Sequence, residues 1–197
     1  KNVRYARNFG KPAMGMTGRF HKSWADFGGL KPEAALRYEV CQMLAHGAAC
    51  SVGDQLHPRG APDPAVYDLI GRVYAHAEAC EPWTDGARPV TQIAVLKGGE
   101  DAGVYREEPG GTADGVTRML GHLKHQFDFL DPAMRFEGYE LVILPDAVAV
   151  DAAMARRLRA YVAKGGKLIL TGTSGLDADL RPLLPEMGVK TEGTSPF

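Results

Sequence analysis

Short, almost wholly apolar runs recur along this chain, with room for about one helix between successive runs. That alternation settles the fold class before any other feature is considered. "TQIAVLKGG" (91–99), "YELVILPDA" (139–147) and "KLILTG" (167–172) show no polar residue at every second position. All three read as strands, and 139–147 as a strongly apolar buried one. Strand–helix–strand spacing of this kind favours parallel pairing through right-handed crossovers. The expected class is therefore α/β.

The first half follows the same grammar. "PAMGMTG" (12–18) is an apolar run ended by glycine, and "AACSVGD" (48–54) is small and apolar, as a strand covered on both faces would be. Between them, Leu36, Val40, Met43 and Leu44 fall on one helical face, with Pro32 near the start and Gly47 just past the end. Asp63-Pro64 reads as an N-cap followed by a first-turn proline. The helix it opens carries Val66, Leu69, Ile70, Val73, Tyr74 and Ala77 on one stripe. "CEPWTDGARP" (80–89), with two prolines and a glycine, is the best boundary in the chain and predicts domains over 1–88 and 89–197. In the second domain a polar, glycine-rich loop (100–112) leads to a helix with Val116, Met119, Leu120, Leu123 and Phe127 on one face. Asp151 caps another, with Met154, Leu158, Tyr161 and Val162 inward, stopped by Gly165-Gly166. Beyond residue 175 the pattern thins out.

Charge removes several function classes. Among 197 residues, 23 Lys+Arg face 24 Asp+Glu, a net charge of −1. That balance gives no electrostatic reason to expect nucleic acid or an anionic membrane as partner. No apolar run approaches the ~20 residues a membrane helix needs, and no signal-peptide pattern is visible. Cys41, Cys50 and Cys80 match no zinc template and read as buried thiols in a reducing, cytoplasmic compartment. The chain starts with lysine rather than methionine and without a helix-start signal, which reads as part of a longer polypeptide.

Ligands of parallel α/β units sit at the carboxyl ends of the strands. Two polar loops occupy such places. The stretch from Gly18 to Pro32 crowds together Arg19, Phe20, His21, Lys22, Trp24 and Asp26, and "GDQLHP" (53–58) adds Asp54, Gln55 and His57. These residue types suit a sugar. Trp24 or Phe20 can stack on a pyranose face, while Arg19, His21, Gln55 and His57 can hydrogen-bond hydroxyl groups. Asp26 and Asp54 are the candidate catalytic carboxylates, because glycoside hydrolysis commonly uses a pair flanking the bond. The competing reading has Asp54 organising the turn into the next helix and Trp24 plugging a barrel mouth.

The second domain offers weaker signals. "LTGTSGL" (170–176) approaches a nucleophile elbow but is one residue short of G-x-S-x-G, so Ser174 reads as part of a turn. His122 and His125 lie three apart on the predicted helix without a third ligand, which reads as a solvated face. "GGED" (98–101) lacks the Lys and Ser/Thr of a phosphate loop. No cofactor and no metal is expected.

"TGRFHKSWADFGGLKPEAALRYEV", "LAHGAACSVGDQLHPRG" and "YDLIGRVYAHAEACEPW" together resemble the last β/α units of the barrel in beta-galactosidase and alpha-fucosidase-like glycoside hydrolases. "TQIAVL", "QFDFLD", "YELVILPDA" and "YVAKGGKLILTGTSG" resemble the beta-galactosidase trimerisation domain that follows such barrels. The resemblance implies the end of a (β/α)8 barrel and then a flavodoxin-like parallel sheet of the class I glutamine amidotransferase type, both incomplete. It also implies a carbohydrate substrate and a homo-oligomer, a trimer in the relatives. An active amidotransferase carries a cysteine nucleophile, and residues 81–197 contain none, so a packing or oligomerising role fits that domain better. The galactosidase relatives place a glutamate nucleophile near the end of the seventh strand. The corresponding loop here holds Gly18, Arg19, His21 and Asp26, with no glutamate before Glu33.

A closed barrel takes eight β/α units in ~250 residues, and the first half has room for two. The expectation is a glycosidase part that is inactive alone and aggregation-prone at its open edge. The alternative is a non-catalytic carbohydrate-binding or assembly protein with a degenerate barrel.

Overall fold

The computed structural model describes residues 1–98, 111–177 and 179–193. It divides into two compact units, Ala6–Pro89 and a second made of Lys1–Tyr5 with the chain from Val90 onward. A short helix, α1 (Asn2–Ala6), opens the chain although no capping signal precedes it.

In the first unit β1 (Met14–Gly18) leads through a long loop to α2 (Glu33–Ala45), then to β2 (Ala49–Gly53) and α3 (Pro64–Thr84). The two strands are parallel, with Met14 opposite Ala49 and Gly18 opposite Gly53. Asp63 Oδ1 accepts from Ala65 N–H at 3.0 Å, the N-cap that its place before Pro64 predicts. Leu36 and Val40 of α2 pack on Val66, Leu69, Ile70, Val73 and Ala77 of α3. Val52 N–H donates to Tyr74 Oη at 3.1 Å and ties β2 to α3.

Burial on both faces does not hold for these two strands. Met14 is 71% and Met16 62% exposed, and Ala49 is exposed beside them. The two helices cover only one side of a two-stranded sheet. There α2 comes so close that a Cβ on Gly15 would lie 2.7 Å from the Met43 side chain. The open side carries Met14, Met16 and Ala49.

In the second unit β3 (Ile93–Leu96), α4 (Thr112–His122), β4 (Phe127–Leu130), β5 (Leu141–Leu144), α5 (Ala152–Ala163) and β6 (Lys167–Leu170) follow in turn. The strands are all parallel in the order β4-β3-β5-β6. This is the flavodoxin-like order, in which the first strand lies inside the second. One sheet face (Ala94, Leu96, Val142, Leu144) packs on Met154, Leu158 and Tyr161 of α5. The other (Ile93, Val95, Phe127, Phe129, Ile143) packs on Ala113 and Leu120 of α4 and on Tyr5. The chain thus reads as a partial barrel followed by a parallel-sheet domain. β3, β5 and β6 fall where strands are expected, β3 and β5 largely buried and β6 half-exposed at the sheet edge, while β4, also buried, is a strand that the apolar pattern does not predict.

The helix expected to run on to Phe127 stops at His122. Lys124 adopts a left-handed φ of +60° and His125 N–H bonds back to Leu120 O at 2.9 Å. The reversal sends Phe127 into β4, where it is fully buried, and leaves Met119 and Leu123 exposed. His125 accordingly lies outside the helix that carries His122.

Candidate functional site

Both strands of the first unit end on glycine at matched positions, Gly18 beside Gly53. The next residues are Arg19 and Asp54. Arg19 N–H donates to Gly53 O at 3.0 Å, which carries the ladder one step further. Arg19 Nε then donates to Asp54 Oδ1 at 2.8 Å, and Nη1 to the carbonyls of Phe27 (3.0 Å) and Gly29 (3.2 Å). The guanidinium lies 4.3 Å over the Phe20 ring and is 3% exposed. Asp54 Oδ1 also accepts from Gln55 N–H at 2.8 Å. A buried, multiply bonded charge pair of this kind holds geometry more than it adds stability. Arg19 is therefore a strut beneath the loop, too enclosed to meet a ligand itself.

The loop from Phe20 to Leu30 is closed by an antiparallel bridge between those two residues and by Lys31 N–H on Arg19 O at 2.8 Å. Phe20 is buried within it. Trp24 meets Phe20 edge-on at 5.0 Å, Phe27 meets Phe20 at 6.4 Å, and His57 meets Phe27 at 5.6 Å. Trp24 is 53% exposed and lies across Gly53, where an added Cβ would stand 2.7 Å from the indole and 2.5 Å from the Met16 methyl. The bare strand end is what lets the indole rest there.

Asp26 is half-buried in the turn after Ala25, itself left-handed at φ +68°. Its carboxylate sits against Gly29, where a Cβ would lie 2.1 Å from Oδ2. No hydrogen bond or ion pair joins Asp26 to Asp54. His57 Nδ1 accepts from Arg59 N–H at 3.2 Å, and His21 and Gln55 are exposed. The structure thus brings Arg19, Asp54 and Gln55 together, seats Trp24 and His57 on one aromatic cluster, and sets Asp26 apart.

Sequence reading passed over Phe27, the ring joining His57 to Phe20, and over a second polar group under β1. There Lys31 Nζ reaches Thr17 Oγ1 at 2.9 Å and Glu39 Oε2 at 2.6 Å, and Thr17 also donates to Glu39. The repeated strand-end glycine, in "MTG" and "SVG", was the available signal for the platform under Trp24.

The cysteines are free and half-buried rather than fully enclosed. Burial pushes the Cys50 thiol above its ordinary range, with Glu81 and Cys41 acting in the same direction, as befits an unreactive thiol. In the second unit Ser174 is buried and its Oγ accepts from Val148 N–H at 2.9 Å, a turn contact. Among the described residues no three His, Cys, Asp or Glu gather as a metal site, and no helix is long and apolar enough to cross a membrane. The "GGED" stretch and the glycine-rich loop fall almost wholly outside the described residues.

Residues 118–188 match the family described as beta-galactosidase trimerisation domain. Over 80 residues the chain is 32% identical to beta-galactosidase BglY of Alicyclobacillus acidocaldarius, a stretch covering 41% of this chain and 11% of that protein. Alpha-L-fucosidase isoenzyme 2 from Paenibacillus thiaminolyticus is 42% identical with a TM-score of 0.81, over 90% of this chain and 27% of that one. The beta-galactosidase from Bacillus circulans sp. alkalophilus shares the fold, with a TM-score of 0.64 at 19% identity over 88% and 30%. The chain therefore spans less than a third of the length of each of these proteins.

Proposed function

We propose that this chain, whose sequence and fold are those of part of a glycoside-hydrolase-like protein, supplies a sugar-facing wall to a glycosidase acting on O-glycosidic bonds. The observation that carries this is Trp24. A half-exposed indole lies across the carboxyl ends of β1 and β2, rests on Gly53, and meets Phe20, the ring over which the buried Arg19 guanidinium lies. An aromatic face so held is suited to stacking on the C–H face of a pyranose. His21, Gln55 and His57 on the same two loops provide hydrogen-bonding groups for hydroxyls, and Arg19 acts by positioning the loop. Identity is highest to an alpha-L-fucosidase among the relatives described above, which makes α-L-fucosides the first substrates to test and β-D-galactosides the second.

Asp26 and Asp54 are the carboxylates to test for chemistry. Asp54 already spends Oδ1 on Arg19 and on Gln55 N–H, and Asp26 is folded against Gly29. Those engagements favour a second reading, in which the chain binds or assembles and the proton-transferring pair lies elsewhere. Asp54→Ala and Asp26→Ala, made in the full-length protein, separate the two. Loss of orders of magnitude in kcat marks a catalytic carboxylate, and a rise in KM alone marks a binding one.

The second unit acts in this reading as a packing and oligomerising domain. Its strand order is flavodoxin-like, and the absence of cysteine from 81–197 argues against glutamine hydrolysis. Three free thiols suit a reducing, cytoplasmic setting.

The direct test is a titration of Trp24 emission with L-fucose and D-galactose in a Trp83→Phe background. One stacking platform and a few hydrogen bonds correspond to a Kd on the order of 1–10 mM. A sugar-dependent change that Trp24→Ala abolishes supports the reading. Unchanged emission at saturating sugar removes this wall as a binding element.

A further inference from the structure

The loop after β2 carries a histidine whose two ring nitrogens stand in different circumstances. His57-Pro58-Arg59-Gly60 forms a tight turn, closed by Gly60 N–H on His57 O at 2.8 Å, with Pro58 at its second position and Gly60 left-handed at φ +77°. The turn brings Arg59 back onto the ring. Arg59 N–H donates to His57 Nδ1 at 3.2 Å, and Arg59 Nε donates to the same nitrogen at 3.3 Å. Phe27 meets the imidazole edge-on at 5.6 Å. His57 is half-buried, and among the described residues its Nε2 has no hydrogen-bond partner.

A neutral imidazole carries one proton, and what one nitrogen faces decides which of the two holds it. A peptide N–H and a guanidinium N–H can only donate. Nδ1 must therefore present its lone pair, and the proton stands on Nε2. We propose that the turn and Arg59 fix His57 in the Nε2–H form, so that the ring meets a sugar hydroxyl as a hydrogen-bond donor and takes no proton from it. Arg59 is then a positioning residue, which acts only through the imidazole. The inference rests on the sugar-facing reading above and adds the direction of one hydrogen bond. Protonation does not reverse that direction. An imidazolium keeps Nε2–H and loses both bonds at Nδ1, where a second N–H would face two donors. His57 consequently selects an oxygen lone pair on the sugar, and a position bearing only C–H offers it nothing.

Long-range proton–nitrogen correlation NMR on the 197-residue chain reads the tautomer directly at about pH 8.5, where imidazoles are neutral. The signal of His57 is the one that disappears in His57→Gln. It should show an unprotonated Nδ1 and a protonated Nε2 at their full separation, whereas a free imidazole exchanges between two forms and gives averaged positions. Arg59 is exposed, so Arg59→Ala leaves the fold alone. There the signal should move part-way to the average, because only the backbone donor is left. An averaged or Nδ1–H signal in wild type overturns the proposal, and an Arg59→Ala signal unmoved from wild type overturns the part given to the guanidinium. The direction of the hydrogen bond is read by titrating Trp24 emission with L-fucose and D-galactose in the Trp83→Phe background. His57→Gln keeps an N–H but no basic nitrogen and should hold Kd within about twofold, whereas His57→Ala should weaken it about 3–10-fold. Equal losses in the two variants overturn the donor role. A wild type that gives no response to sugar overturns the sugar-facing reading and the hydrogen bond with it, while the spectrum decides the tautomer by itself.

Discussion

Arg19 and Asp54 occupy equivalent places after neighbouring parallel strands, and Arg19 Nε meets Asp54 Oδ1 at 2.8 Å with the guanidinium enclosed. The pair is a cross-tie between the two loops that carry every sugar-facing candidate. Loop geometry and loop chemistry are consequently inseparable at this end of the sheet.

Asp54→Ala should cost stability as well as function. It leaves Arg19 enclosed with only two carbonyl partners, and removing one partner of a buried pair costs about 3 kcal/mol or more. At 2–4 °C per kcal/mol for a chain of this size, the thermal midpoint should fall by roughly 6–12 °C. Scanning calorimetry reads this directly. A midpoint within a degree of wild type would show the tie to be slack.

Gly53→Ala should do the opposite, sparing stability and harming the platform. The new methyl would lie 2.5 Å from the Met16 methyl and 2.7 Å from the Trp24 ring, both parts of exposed side chains free to swing outward. The cost should stay under about 1 kcal/mol. Trp24 emission should shift to the red in the Trp83→Phe background and sugar binding should weaken. An unshifted spectrum would mean that the indole does not rest on Gly53.

Gly172→Ala should destabilise the second unit by about 3 kcal/mol. Gly172 has φ +56°, and an added Cβ would stand 2.4 Å from the Asp146 carbonyl oxygen, a backbone atom that cannot yield. Asp146 is itself left-handed at +56° and receives hydrogen bonds from the Thr171 and Thr112 hydroxyls. Gly165→Ala is the control. Its φ is +92° but the space around it is open, so only the backbone term of about 1–2 kcal/mol remains. Equal urea midpoints for the two variants would refute the clash.

Stability should decline on the alkaline side. Burial raises Tyr161 above the ordinary tyrosine value of 10.0, and burial together with Asp131 raises Tyr5. A group whose folded pKa is raised stabilises below its unfolded pKa and loses that contribution as pH climbs through the folded one. The urea midpoint should therefore hold from pH 8 to about 9.5 and drop above about 10. Tyr161→Phe with Tyr5→Phe should flatten that drop while lowering the plateau, because Tyr161 Oη also donates to Tyr139 O at 2.9 Å. A double variant as steep as wild type would place the alkaline loss elsewhere.

The strands of the second unit were legible because a four-residue strand buried on both faces has to be apolar throughout, and β3 and β5 are. The caps at Asp63 and Asp151 were equally plain. Phe127 was misassigned because Leu120, Leu123 and Phe127 fit a helical face, and the turn that breaks the helix falls on Lys124, a residue with no turn chemistry of its own. The exposure of Met14 and Met16 was hidden for another reason. An apolar run announces that a strand wants covering without saying how much cover is present. At the site, residue types revealed the loop but not its internal ties. The Arg19–Asp54 bond depends on the register of two strands 35 positions apart in sequence, and a local reading has no access to register.

The attachment of Lys1–Tyr5 to the second unit bears on the order of folding. Lys1 Nζ pairs with Asp114 at 2.9 Å, Arg4 lies 4.2 Å over Phe127, and Lys97 Nζ lies 4.7 Å over the Tyr5 ring. On the ribosome, where chains grow at about 5–20 residues per second, Tyr5 emerges several seconds before Lys97 and longer still before Phe127. The intervening Ala6–Pro89 has its own nucleus of near-neighbour contacts and can settle in that interval, whereas Lys1–Tyr5 waits for partners not yet made. Long-range closures of this sort come late. Residues 1–5 then lock only after the sheet they pack on has formed, and the exchange protection of their amides would date that docking.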